Sequence, residues 1–434
     1  MKLRRGEGAK VRRSWVPRRG RGAKAWRVPV PGLPVLPVPG WVRRLKRYAP
    51  RGPLVRFAGA LHDPRTATAI GRWLGAAVLL CFVTGLVSHF LQEPAGWMRA
   101  LLPTRPVWGY RLTQGLHVAT GIASVPLLLA KLWTVYPRLF AWPVLRGVRH
   151  ALERLSVAVL VGTALLELFM GLLNTVQWYP WPFSFRQVHW ALAWVLAGSL
   201  LLHLAVKAPL IAAHWRRTAT GTGAEPRTAG STSPADGVER DRRSLLLGVG
   251  AAVGAVTLAT VGQSFTPLRW ADVLAPRHPD HGPQGLPVNR TAAMARVSPA
   301  TVRGWRLRVR GPHPYELSLP ELRQLPQYEA ELPIACVEGW SKSARWGGVR
   351  VRDLLERAGA PRGAALRVVS LERAGNYRVT EMPSGYARDP LTLLALDLNG
   401  RPLTLDHGFP ARIIAPNRPG VLQTKWVHSL EVLT

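Results

Sequence analysis

Leu332-Pro-Ile-Ala-Cys-Val-Glu-Gly-Trp-Ser341 and, after a short gap, Trp346-Gly-Gly-Val-Arg-Val-Arg-Asp-Leu-Leu355 decide how the last part of this 434-residue chain is read. The first stretch carries Cys336, one of two cysteines; the other is Cys81. Two cysteines exclude a disulfide scaffold and any Cys-rich zinc or iron–sulfur site. Cys336 has no disulfide partner in its own region, so it offers a soft thiolate suited to a thiophilic metal centre. The alternative is a buried structural cysteine. Around it, short β-rich segments (Trp305–Arg310, Ala365–Ser370, Arg412–Ala415) alternate with turns at Gly and Pro. One amphipathic helix, Arg352–Ala358, follows Gly347-Gly348. The residues from about 270 onward suffice for one α+β core.

A second block lies downstream: Asn399-Gly-Arg-Pro-Leu-Thr-Leu-Asp-His-Gly-Phe-Pro-Ala-Arg412, then Pro416 to Gly420 and Gln423-Thr-Lys-Trp426. In this order the two blocks resemble the cofactor signatures of the sulfite-oxidase-fold molybdopterin enzymes, over essentially all of 285–434. The resemblance implies a Mo-molybdopterin cofactor and makes Cys336 the protein ligand to molybdenum, beside the pterin dithiolene and oxo groups. It also implies a pterin phosphate, for which Arg412 offers a bidentate fork and Lys425 a point charge. His407, Gln423 and Thr424 are further candidate donors. Asn289 matches the asparagine that opens the family's pocket, and Ser370 is placed only by its distance after the cysteine. Outside this context each would be a solvated surface residue. Lys342, Arg345 and Arg388 could draw an anionic substrate or simply be surface. The chain ends soon after Trp426, so no immunoglobulin-like domain is expected. In that respect it is similar to the periplasmic methionine-sulfoxide reductase catalytic subunit.

The rest of the chain is of another kind. Net charge is +34, yet 47% of residues are hydrophobic. Residues 1–65 hold 18 Lys/Arg against 2 acidic residues, with a Pro-rich run from Val28 to Gly40 that forbids a helix. A basic arm of this kind could bind nucleic acid. The reading adopted is a cytoplasmic anchor on anionic lipid, with no nucleic acid expected, because membrane spans follow. Five apolar runs come next: Trp73–Gln92, Leu112–Ala130, Leu155–Phe185 (interrupted by Glu167), Gln187–Val206 and Ser244–Leu268. Each can cross ~30 Å of hydrocarbon. The eighteen tryptophans suit interface belts. Basic residues crowd the arm and the loops 136–154 and 207–243, so the N-terminus is expected in the cytoplasm and the last domain outside it, in a bacterial membrane. Asp241-Arg-Arg-Ser-Leu-Leu-Leu247 resembles a twin-arginine (Tat) export signal, although Arg242-Arg243 could equally be an ordinary stop at the cytoplasmic face.

Histidines give the spans their chemistry. His117 and His189 lie at similar depth on opposite-running spans, so their rings can face one iron. His89 shares that depth as a competing ligand or second-shell donor. His203 follows His189 by 14 residues, about 40° round and ~21 Å along a helix. The place one such spacing below His117 is Lys131, which leaves His62 and His150 as candidate partners for His203. Glu167 is either a neutral buried acid or a proton-handling group. Residues 66–215 thereby resemble the four-helix cytochrome b of the b561 type, implying one or two b haems.

The expected fold is therefore multidomain: a basic arm (1–65), an all-α transmembrane four-helix haem bundle (66–215), a linker (216–243), a fifth span (244–268) and an α+β sulfite-oxidase-type domain (269–434). The expected function is that of a membrane-bound molybdopterin oxidoreductase. Oxygen-atom transfer on a small molecule or sulfoxide would exchange electrons through haem b with the quinone pool. The same centres would serve a sulfite-oxidase direction. A degenerate, non-catalytic module on an electron-transfer cytochrome is the competing class.

Overall fold

The structure, a computed structural model, describes residue 62 and residues 64–140, 147–219, 234–373 and 375–433. The basic arm apart from its last positions, and residues 220–233 of the expected linker, lie outside the described residues. Five long helices come first: α1 (Pro64–Gln92), α2 (Gly109–Leu139), α3 (Val148–Thr175), α4 (Phe185–Ala219) and α5 (Pro234–Val261). All five are long and apolar enough to cross a membrane. Their outer faces present large apolar side chains, such as Leu79, Leu80 and Val83 on α1, Leu165, Leu166 and Phe169 on α3, and Leu201 and Leu202 on α4. In water such faces would be driven together; against acyl chains they are the solvated surface. Inside, contact is made by small and polar groups, as where Ser88 of α1 donates to Thr113 of α2 at 3.0 Å. Helix α2 packs on both α1 and α5, while α3 pairs with α4.

The fifth helix ends at Val261, not at Leu268 as the apolar run implies. The chain turns at Gly262, where a Cβ would meet the side chain of Asp272 and backbone of Leu268. Composition stays apolar through this turn, so hydropathy does not register it. The helix also starts upstream, at Pro234.

The α+β domain holds two five-stranded sheets. Its strands are β1 (Arg306–Arg310), β2 (Tyr315–Ser318), β3 (Tyr328–Ala335), β4 (Ser341–Arg350), β5 (Ala365–Ser370), β6 (Val379–Met382), β7 (Leu393–Leu398), β8 (Arg401–Pro402), β9 (Arg412–Ile414) and β10 (Val427–Leu433). One sheet runs β2-β1-β10-β5-β6, with β1 and β10 parallel. The other runs β3-β4-β7-β8, with β9 on β7. Strand β1 shows why: Leu307 and Val309 are buried while its three arginines face out, the period-2 pattern of a half-buried strand. Those residues join Val368 and Leu430 of the same sheet and Val349, Leu394 and Ile413 of the other in one core. The helix Val351–Arg357 adds Val351, Leu354 and Leu355, spaced i, i+3, i+4, to that core. A second cluster, with Leu332, Ile334, Trp346, Leu398 and Ile414, underlies the segment joining β3 to β4. At Gly347-Gly348 the β4–β7 register shifts, and a Cβ on Gly348 would collide with the Leu394 carbonyl of β7.

Candidate active site at the junction of bundle and domain

Residues 336–340 form the hairpin loop between β3 and β4, closed by the Cys336 N–H donating to the Trp340 carbonyl at 2.9 Å. Gly339 takes φ +100°, and a Cβ there would also press on Val118 of α2. The loop thus rests on the bundle. Gln114 of α2 donates to the Val337 carbonyl at 2.8 Å, and Asn174 of α3 donates to the same oxygen at 3.2 Å. Gln177 donates to Glu338 at 2.8 Å. Beyond the end of α5, Ser264 donates to the Gly339 carbonyl at 2.5 Å, and the Ser341 N–H donates to the Gln263 carbonyl at 2.8 Å. Further off, Arg105 forks onto Asp389, and Asn417 is held between the Tyr110 N–H and the Pro103 carbonyl.

Cys336 lines a half-open cavity of about 140 Å³. Asn289 donates to the sulfur at 2.7 Å; its amide also donates to Glu338 and its carbonyl accepts from Trp340. Burial, then the Glu338 carboxylate, push the Cys336 thiol well above its usual range. A thiolate here therefore calls for a cation at the sulfur, the role a metal fills.

The lining also carries two buried cations. Arg412 is 1% exposed; its guanidinium donates to the His407 and Gln423 carbonyls, and its Nε has no partner. Lys425 donates only to the carbonyls of Arg290 and Asp406 among the described residues, at 2.9 and 2.7 Å. Burial lowers Arg412 to about 9 and, with Arg412 beside it, Lys425 to about 7. Burying each ion costs several kcal/mol that neutral carbonyls repay poorly. An anion between them offsets that cost, so the pair fits a phosphate-bearing cofactor better than a purely structural role.

A pH effect follows. Lys425 faces Arg412, Asp406, Cys336 and Glu372. Its folded pKa lies below the ordinary lysine value, so the unfolded chain holds the proton that the folded chain sheds. Cofactor-free protein is expected to gain thermal stability from about pH 7 to about pH 8, below the ordinary thiol pKa of about 8.5. Lys425→Met should flatten that rise in a melting series; an unchanged slope would count against the assignment.

The remaining sequence candidates fall out differently. His407 lines the cavity, but its Nε2 donates to the Pro283 carbonyl at 2.7 Å and burial lowers it to about 4. It is a neutral imidazole whose Nδ1 is an acceptor, so the expected donor is already used. The Gln423 amide is satisfied by Ala415 and Arg418, and the Thr424 hydroxyl pairs with Thr380 at 2.7 Å. Both line the cavity with their side-chain polar groups already engaged. Ser370 donates to the Lys425 carbonyl at 2.7 Å and steadies that lysine from behind the cavity. Lys342, Arg345 and Arg388 do not line it. Residues not singled out from sequence do: Arg290 paired with Glu372, and Tyr377, whose hydroxyl accepts from Arg186 in the first turn of α4 at 2.8 Å.

In the bundle, the rings of His117 and His189 stand 6.1 Å apart at 87°. Two imidazoles on opposite sides of one metal, each at about 2 Å, put their ring centres about 6 Å apart. The His117 Nδ1 lies 2.9 Å from the Cys81 carbonyl, which can only accept, so the proton is on Nδ1 and Nε2 is free. Gly85 gives this ring room, since a Cβ there would strike it. The His189 Nδ1 stands 2.8 Å from Glu167, at ion-pair distance though off hydrogen-bond alignment. His89 is instead stacked face to face on Trp190 at 3.7 Å. His203 lies deeper on α4. Of its candidate partners, His62 sits 3.2 Å from the Thr134 carbonyl and His150 lies in the first turn of α3, while Lys131, one such spacing below His117, donates to the Ala67 carbonyl at 2.6 Å.

Comparison with known proteins bears on this site. Residues 294–434 match the family model of the oxidoreductase molybdopterin binding domain. An uncharacterized oxidoreductase of Bacillus subtilis, YuiH, is 35% identical over 130 residues, 29% of this chain and 64% of its own length. Sulfite oxidase of Arabidopsis thaliana is 29% identical over 155 residues, 28% of this chain and 39% of its own. A protein of Azospira oryzae named for a protein-methionine-sulfoxide reductase subunit, YedZ1, is 30% identical over 162 residues, 37% of this chain and 61% of its own. The chain thus spans less than two thirds of each of these relatives.

Proposed function

Because residues 294–434 match the molybdopterin-binding oxidoreductase domain, we propose that this chain is a membrane-bound enzyme of oxygen-atom transfer, exchanging electrons with the quinone pool through a b-type haem. The carrying observation is one cavity lined by both Cys336 and the buried cations Arg412 and Lys425, whose cysteine loop is hydrogen-bonded to the helix that bears His117.

In this reading Cys336 is the protein ligand to molybdenum, Asn289 orients its sulfur, and Arg412 and Lys425 hold the pterin phosphate. When bound, the molybdenum cofactor would supply oxygen-atom transfer coupled to a two-electron change, giving up two electrons where it takes an oxygen atom and gaining two where it releases one. Arg290, Glu372 and Tyr377 also line the cavity and would face a small molecule bound in it. His117 and His189 hold the haem, the Nδ1 of His117 fixed by the Cys81 carbonyl and that of His189 beside the Glu167 carboxylate. In the reductase direction a quinol loses two electrons and two protons, and a sulfoxide takes both up, releasing its oxygen as water. The sulfite-oxidase direction runs the same exchange in reverse.

The basic arm and loops put the N-terminus in the cytoplasm and the α+β domain outside it. Replacing Arg242-Arg243 by Lys-Lys is then expected to strand that domain in the cytoplasm, read by protease accessibility in intact cells. Normal export would reduce the pair to a topology signal. The functional proposal as a whole is tested on purified membranes by elemental analysis and a reduced-minus-oxidised spectrum. Molybdenum near one per chain with a b-type band is expected. Haem iron without molybdenum would leave only an electron carrier with a binding module.

A further inference from the structure

We infer that the Val337 carbonyl is the electronic contact between the two halves of the molecule, and that Gln114 couples it to the haem helix. The inference rests on the haem reading above.

Val337 is joined to Cys336 by one peptide bond. Its carbonyl oxygen accepts two amide donors, Gln114 at 2.8 Å and Asn174 at 3.2 Å. The donors come from different helices, and that difference matters. Gln114 lies on α2, three residues before His117, so the two share a face about one turn apart. Asn174 lies on α3, which carries neither histidine of the facing pair. Electron tunnelling falls off less steeply along covalent and hydrogen bonds than across gaps. A continuous bonded route runs from the Cys336 sulfur through Val337 and the Gln114 amide into the turn of α2 that ends at His117. The route through Asn174 enters α3, which holds neither ring of the facing pair: its own His150 lies at the other end of the helix, and it reaches His189 only across the Glu167 contact, two turns away and off hydrogen-bond alignment.

Gln114 is 6% exposed in a strongly apolar helix, where a polar side chain is costly unless it serves a purpose. Docking alone is one such purpose. Asn174 docks the same oxygen, as Gln177 docks the neighbouring Glu338, so the loop has other anchors. What Gln114 alone adds is proximity to His117. Each passage across this contact carries one electron. Two passages, supplied by a quinol in the reductase direction, complete the two-electron exchange stated above.

Two variants of the full chain separate coupling from docking. Gln114→Leu and Asn174→Leu each remove one hydrogen bond to the same oxygen. Hydrogen exchange of residues 336–341 in cofactor-free protein reads docking alone and should rise alike in both. In loaded protein, rapid mixing with substrate follows the haem band in a single turnover. The coupling role predicts a several-fold slower haem response in Gln114→Leu and a response near wild type in Asn174→Leu, with haem spectrum and midpoint potential unchanged in both. Equal slowing in the two variants would overturn it. So would loss of haem from Gln114→Leu and from the longer-chain Gln114→Met but not from Asn174→Leu, since Gln114 would then hold the haem rather than couple to it. Absence of any b-type band in the wild type is a different result and strikes the haem reading itself.

Discussion

Cys336→Ser is expected to bring substrate turnover to background while leaving the haem spectrum as it was. The hydroxyl is nearly isosteric and can still accept from Asn289, so the loop should keep its hydrogen bonds. What it loses is a soft, ionisable ligand atom; serine stays protonated where a metal-bound thiol does not. The effect is confined because the loop's bundle contacts go through the Val337 and Gly339 carbonyls and the Glu338 carboxylate, none of them the sulfur. Elemental assay beside the spectrum gives the check. Full turnover in the serine variant would remove Cys336 from the metal.

His117→Ala or His189→Ala is expected to abolish the b-type band and quinone-linked turnover, yet spare turnover with an artificial dye that reaches the α+β domain directly. Both rings leave Nε2 available, and losing either leaves the iron with one protein ligand. Glu167→Gln acts one bond further out and is expected to weaken haem retention by about 10–100-fold rather than abolish it. A band retained in both alanine variants would move the ligation elsewhere, with His89 the first alternative. Its stacking on Trp190 would then have to break.

Much of this architecture can be read from the residues. Five apolar runs become five helices because hydrocarbon length and backbone satisfaction leave few other solutions. Arg306-Leu-Arg-Val-Arg310 becomes a strand because its alternation fits a sheet with one buried face. The end of α5 is not legible, because the turn at Gly262 is set by crowding with Asp272 while composition stays apolar. Site chemistry divides in the same way. Cys336 stands out by type, whereas Arg412 and Lys425, among 58 Lys and Arg, stand out only through the family resemblance. Residue type does not say which donors are already spent, and Gln423, Thr424 and Ser370 are each satisfied by partners that only the fold brings near. Gln114 and Val337 lie 223 positions apart. A lone glutamine one turn before a span histidine was the available signal, and its partner had none.

Among the described residues, the brackets at Asp389, Asn417 and the Cys336 loop tie the α+β domain to the helices at three separate places. Enzymes that ferry charge on a tethered, wandering module wait for each arrival and are slowed by a syrupy medium. Here donor and acceptor would be moored side by side, so the waiting time would lie in the chemistry and in the lipid-borne carrier rather than in the journey between them.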